Sequence, residues 1–246
     1  MNKRKLLTVM GGTQKPFVPT MLDGLSLYYK SDAGLFTDAG TTPAANDGDL
    51  IYQMNDQAST YNAVASTEAN RPTLQNGAAD LINGLPVVRF DGTDDVMTIT
   101  QASFTDFTAF FAGKWINGND GLWGSADTRN GIAQLNNTQV RIKYNNPAGT
   151  LIDVAGASTA NTTYVFVIRR EGQSTTVRIN GTQTAAFTSV EYALATADFI
   201  VNRIALAVGA YGYLDMLESG IYNSALSLGL LAKLEAYLST RSGVPF

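Results

Sequence analysis

The sequence predicts an all-β fold in which two antiparallel sheets pack as a sandwich, closed by a C-terminal helix and preceded by an extended N-terminal arm. Three observations carry this expectation. Short runs of β-branched and aromatic residues recur between Gly, Asn and Asp clusters, the pattern of strands joined by turns. Asn180-Gly181 stands between two such runs and supplies the positive φ angles of a two-residue hairpin. The composition, 23 glycines and only 15% charged residues, suits many short strands better than a helical bundle. With 246 residues and 45% apolar content, the chain can bury one large core.

The elements follow in order. Residues 1–20 read as a basic arm in which Pro16 and Pro19 mark a semi-rigid exit, and residues 21–246 as the domain. The first strand is expected at 25–29. Residues 32–71, rich in Gly, Ala, Thr, Asn and Asp, read as a long surface excursion with little regular structure. Further strands are expected at 86–90, 96–100, 107–112, 131–135 and 139–144. A meander follows: 164–170, a reversal at Glu171-Gly172, 175–179, the Asn180-Gly181 turn, then 182–187. Runs at 204–209 and 213–222 add two more strands. From Ser224 to Ser239 the spacing changes. Leu231, Leu234 and Leu238 share one helical face, joined by Ala225 and Leu228, and Ser224 or Ser227 is placed to cap the helix.

Charge and composition exclude several functions. The chain contains no cysteine and no histidine, so disulfides, thiol chemistry, a Ser-His-Asp triad and the usual zinc ligand sets are ruled out. The formal charge is −4, but residues 1–20 hold Lys3, Arg4, Lys5 and Lys15 and no acid. The remainder has 13 basic against 21 acidic residues, a net of −8, which would repel nucleic acid from the folded part. The apolar run after the basic start, residues 6–10, is too short for a secretion signal, and no stretch approaches the ~20 apolar residues of a membrane span. A soluble protein made in the host cytoplasm and not exported by the general secretory route, with no membrane partner, is the expectation.

Four motifs occur in a telling order: Leu27-Tyr-Tyr-Lys-Ser-Asp-Ala-Gly34, Asn83-Gly-Leu-Pro-Val-Val-Arg-Phe-Asp-Gly-Thr-Asp-Asp95, Val177-Arg-Ile-Asn-Gly181 and Glu218-Ser-Gly-Ile-Tyr-Asn-Ser-Ala-Leu-Ser227. Together, and with a helix after the last strand, they resemble the concanavalin A-like lectin/glucanase (laminin-G-like jelly-roll) superfamily over roughly residues 22 to 242. The resemblance implies two curved sheets face to face around a single core. It does not choose a function, because the superfamily includes lectins, glycosidases, adhesion modules and bacteriophage virion proteins.

Three constellations are candidate sites, each beside a plainer reading. Asp91, Asp94 and Asp95 cluster in a turn between two strands, where carboxylates converging on one point would suit calcium; the chemistry of an Asp-Gly turn explains them as well. Trp115 and Trp123 flank a loop bearing Asn117, Asn119 and Asp120, and a flat ring beside amides and a carboxylate suits a sugar; tryptophans near strand ends also fill sandwich cores. Lys3, Arg4, Lys5 and Lys15 could anchor the arm on an acidic partner, or simply solubilise it. Catalysis has little basis. The glucanases of this superfamily use a Glu-x-Asp-x-x-Glu strand that is missing here. The nearest approach, Asp215 with Glu218, is three residues apart on one strand, which places the side chains on opposite faces.

These expectations converge on a non-enzymatic, lectin-like bacteriophage virion protein. It would decorate a capsid or tail surface, with the arm on other virion proteins and the loops free for a host-surface glycan, as a monomer or a homo-oligomer. The alternatives are a carbohydrate-binding adhesion module of a bacterial surface protein, which would be extracellular, and a glycoside hydrolase.

Overall fold

The computed structural model describes residues 15–100, 104–116, 121–125, 131–135, 139–144, 150–156, 159–188, 199–201 and 211–246. The strands are, in chain order, β1 (Leu25–Lys30), β2 (Leu35–Phe36), β3 (Gln53–Met54), β4 (Ala63–Val64), β5 (Thr73–Gln75), β6 (Val87–Asp91), β7 (Met97–Ile99), β8 (Phe107–Trp115) and β9 (Gly121–Ser125). They continue with β10 (Gly131–Leu135), β11 (Gln139–Tyr144), β12 (Thr150–Ala155), β13 (Thr162–Glu171), β14 (Ser174–Ile179), β15 (Thr182–Thr188), β16 (Phe199–Val201) and β17 (Tyr213–Tyr222), before helix α1 (Leu228–Ser242).

Two antiparallel sheets result, so the expected all-β sandwich is what the chain forms. The first sheet runs β15-β14-β13-β8-β17-β6-β5, with β1 on the same edge of β17 as β6; the second runs β12-β11-β10-β9-β16-β7-β4-β3-β2. The core lies between them. Leu27, Val88, Phe90, Phe111, Phe166, Ile168, Leu214 and Met216 point inward from the first sheet, and Met54, Ala63, Met97 and Ile99 from the second. On β7 the alternation is visible residue by residue, with Thr98 outside between the two buried residues Met97 and Ile99.

A third layer covers the outer face of the first sheet. There α1 packs Leu231, Leu234 and Leu238 against Tyr28, Phe110, Val165, Val167 and Tyr222. Ser227 caps the helix by accepting a hydrogen bond from the Leu230 amide at 3.4 Å, and Gly243, at φ 71°, ends it in the left-handed conformation. Leu228 does not join the apolar face, since it is 74% exposed at the first helical turn. The meander is present, with Asn180 and Gly181 both at positive φ as the hairpin requires. The 204–209 run lies outside the described residues. No helix among the described residues is long and apolar enough to cross a membrane.

Residues 32–71 depart most from expectation. They supply β2, β3 and β4, which form one edge of the second sheet, and bury Leu35, Ile51, Met54, Ala63 and Ala65 in the main core. Two-residue strands leave no run for a sequence reading to find, and their pairing is fixed by long-range backbone bonds such as Tyr52 N to Phe36 O at 2.9 Å.

Candidate functional site

A polar groove crosses the outer face of the second sheet. Its floor is one cross-strand row, because Gln53 pairs with Val64 and Val64 with Thr98, placing these three side chains side by side on the face turned away from the core. Thr60, Tyr61, Asn62, Ser66 and Thr100 complete the described lining, and the groove encloses about 690 Å³. Its described lining offers amides, hydroxyls and one tyrosine ring that is 37% exposed. Among the described residues, the Thr60 and Thr98 hydroxyls have no partner and remain available to a ligand.

The loop bearing Tyr61 and Asn62 is held from beneath by a buried carboxylate. Asp56 accepts from the Tyr28 amide at 2.8 Å and the Ala58 amide at 2.9 Å, and its second oxygen accepts from the Ser59 hydroxyl. The buried Tyr29 hydroxyl donates to the Tyr61 carbonyl, and Asn62 Oδ1 accepts from the Asp56 amide at 3.1 Å. Two tyrosines of β1 thus fix a loop some thirty residues later, and the wall of the groove is preorganised. Sequence reading passed over Asp56, Ser59, Tyr61 and Asn62 because they lie in the segment expected to be irregular.

Asp91, Asp94 and Asp95 are brought together, with carboxylate oxygens within 4.8 Å of one another. The turn accounts for much of their bonding. Asp91 Oδ1 accepts from the amides of Thr93 at 2.7 Å and Asp94 at 3.3 Å, and Asp95 Oδ2 accepts from the Asp91 amide at 2.8 Å. Burial, reinforced by the Asp91 and Asp94 charges, pushes the Asp95 carboxyl up to about 7 despite that amide bond.

Of the tryptophan loop, Asn117, Asn119 and Asp120 and the Trp123 side chain lie outside the described residues. Trp115 is in the core, 1% exposed, with its ring edge-on to Phe166 at 4.8 Å between centroids. Its Nε1 has no hydrogen-bond partner among the described residues.

Asp215 and Glu218 require a correction: both side chains lie on the outer face of the first sheet. The register of β17 against β8 slips between Met216 and Glu218, so Leu217 is an extra residue and the strict alternation is broken. The Leu217 carbonyl accepts from the Ser31 amide at 2.9 Å. The two acids are nevertheless closed off, each with a side chain 0% exposed. Asp215 pairs with Arg89 through Nε at 2.7 Å and Nη2 at 3.0 Å, and with Lys114 at 2.9 Å. Glu218 accepts from Tyr28 at 2.8 Å, Tyr237 at 3.1 Å and Arg241, whose guanidinium also reaches Asp32 at 2.7 Å. Burial, with the Glu218 charge adding to it, pushes the Tyr237 hydroxyl up to about 12, so it remains a donor.

The exit of the arm is on the opposite side of the molecule from the groove. Phe17 packs edge-on against Tyr237 of α1 at 6.1 Å, and the Pro19 carbonyl accepts from the buried Tyr222 hydroxyl at 2.9 Å. Lys15 is exposed; Lys3, Arg4 and Lys5 lie outside the described residues.

No family model matches the sequence, and no curated protein matches it. Solved structures do share the fold. The binding domain of Paraclostridial Mosquitocidal Protein 1 superposes with a TM-score of 0.57 at 13% identity, over 78% of this chain and 52% of that one. Trypanosoma rangeli sialidase in complex with sialic acid gives 0.60 at 12% identity, over 89% of this chain and 33% of that one. Domain 4 of AbnA, a GH43 extracellular arabinanase from Geobacillus stearothermophilus, in complex with arabinotriose, gives 0.53 at 14% identity, over 89% and 98%. The chain thus spans about half of the toxin domain and a third of the sialidase, while matching the arabinanase domain almost end to end. At these identities the likeness is one of fold: a β-sandwich.

Proposed function

We propose that this chain is a non-enzymatic glycan-binding adhesion module, displayed on a bacteriophage virion surface and anchored through its N-terminal arm. The observation that carries the reading is the opposition of two features. The arm leaves the body beside α1, on the outer face of the first sheet, and the groove lies on the outer face of the second. An anchor at one face therefore turns the other toward solvent. The fold supports the binding part of the proposal, since a domain of nearly the same extent was solved with arabinotriose. The non-enzymatic part draws on Asp215 and Glu218, each saturated by cationic or hydroxyl partners and sealed from solvent, which is unsuitable for two carboxyl groups flanking a scissile bond.

Two measurements test it. The full chain and a chain lacking residues 1–14 are mixed with purified phage particles from which the protein is absent, and pelleted. Binding by the full chain alone is expected; equal binding, or none by either, sinks the anchored-display reading. A glycan array probed with the full chain is expected to give reproducible binding without loss of the arrayed glycan. Cleavage of an arrayed glycan would move the chain to the hydrolases.

A further inference from the structure

We infer that the groove on the second sheet selects neutral saccharides, recognised through ring face and hydroxyls, over sialylated or uronic-acid glycans. This inference rests on the glycan-binding reading above and names the ligand class of that site.

The lining chemistry carries it. Gln53 donates its amide to Asn55 Oδ1 at 2.6 Å, which fixes the side-chain plane and leaves its carbonyl oxygen as an acceptor. Asn62 uses its own carbonyl oxygen on the Asp56 amide, so its Nδ2 hydrogens are the donors that remain. An acceptor and a donor of fixed orientation, with the Thr60 and Thr98 hydroxyls in the same lining, match the donor-and-acceptor chemistry of sugar hydroxyls. The half-exposed Tyr61 ring adds a flat apolar surface for the C–H face of a pyranose or furanose. Val64 contributes the apolar patch of the floor.

A carboxylate entering the same groove would exchange its hydration for these neutral donors. Charged groups leave water at a cost that is recovered well by a cation or a set of backbone amides, and poorly by a few neutral hydroxyls. Among the described residues that line the groove, every polar group is neutral. The volume, about 690 Å³, lies within the usual range of small-ligand sites.

The test is a titration of the full chain with neutral oligosaccharides terminating in glucose, galactose, mannose or arabinose, and in parallel with sialyllactose and oligogalacturonate. The expected result is binding of at least one neutral probe at least tenfold tighter than of both acidic probes. Two variants locate the site. Tyr61→Ala removes an exposed ring, and Thr98→Tyr fills the floor with a residue that strands accommodate; each is expected to weaken the neutral probe about tenfold while the melting temperature is held. Preferred binding of an acidic probe overturns this inference and leaves the glycan-binding reading intact. Binding of no probe overturns both. Neutral binding that both folded variants retain moves the ligand elsewhere and overturns the assignment to this groove.

Discussion

Asp95 shows how a single residue couples this fold to pH. It is 5% exposed in the turn between β6 and β7, and burial first, then the charges of Asp91 and Asp94, hold its proton up to about 7. An unfolded aspartate loses that proton near pH 4. Between about pH 4 and 7 the folded state therefore binds more protons than the unfolded state, and the Asp95 contribution to stability falls as pH rises, then levels off above 7. Asp95→Asn keeps an oxygen that can accept from the Asp91 amide and removes the titration. Thermal unfolding at pH 4 to 8 is expected to show the difference between variant and parent moving in favour of the variant as pH rises, and a pH-independent difference would contradict the assignment. Asp56 acts at the same scale with a different role, since its carboxylate carries the loop that walls the groove.

Strand β17 is the element on which the molecule turns. Its first half pairs with β6 and its second half with β1, and the extra Leu217 sits where the partner changes. The bulge rotates Glu218 under α1, where Arg241 completes its bonding. Arg241→Ala leaves a buried carboxylate with two tyrosine donors, and removal of one partner from a buried pair costs about 3–5 kcal/mol. That loss is expected in the chemical-denaturation midpoint, with Glu218→Gln in the same background recovering part of it. Gly220 reports on the same region, because a Cβ there would lie 2.7 Å from the Leu27 carbonyl oxygen and against the Phe110 ring. Gly220→Ala is expected to cost about 1–3 kcal/mol by overpacking, and an unchanged midpoint would mean that β1 lies further from β17.

At the scale of the molecule the three layers have distinct tasks. The inter-sheet core holds the fold, the α1 face receives Phe17 and Pro19, and the second sheet leaves a groove open on its outer face. The junction with the arm can be placed by truncation. Removing residues 1–14 is expected to leave the melting temperature unchanged, since the Phe17 and Pro19 contacts remain. Removing residues 1–20 takes both contacts away and strands the buried Tyr222 hydroxyl, at roughly 1–3 kcal/mol, or about 2–4 °C per kcal/mol for a chain of this size. Equal melting temperatures for the two truncations would make residues 15–20 part of the arm in energy as well as in sequence.

The sequence by itself determined the sandwich, most of its longer strands, the Asn180-Gly181 hairpin and the amphipathic helix with its Ser227 cap. These are local properties: alternation along a strand, positive φ at a turn, and spacing of leucines on a helix are written in adjacent residues. Only the tertiary structure decided which faces carry chemistry. Asp215 and Glu218 follow the alternation rule until one inserted residue, stabilised by the distant Ser31 amide, puts both on the same face. Trp115 has the composition of a sugar platform and the burial of a core residue. Gln53, Val64 and Thr98 become neighbours only because backbone pairing aligns three short strands in one row. Hydrogen-bond register between segments far apart in the chain placed them there, and register is a property of the assembled sheet.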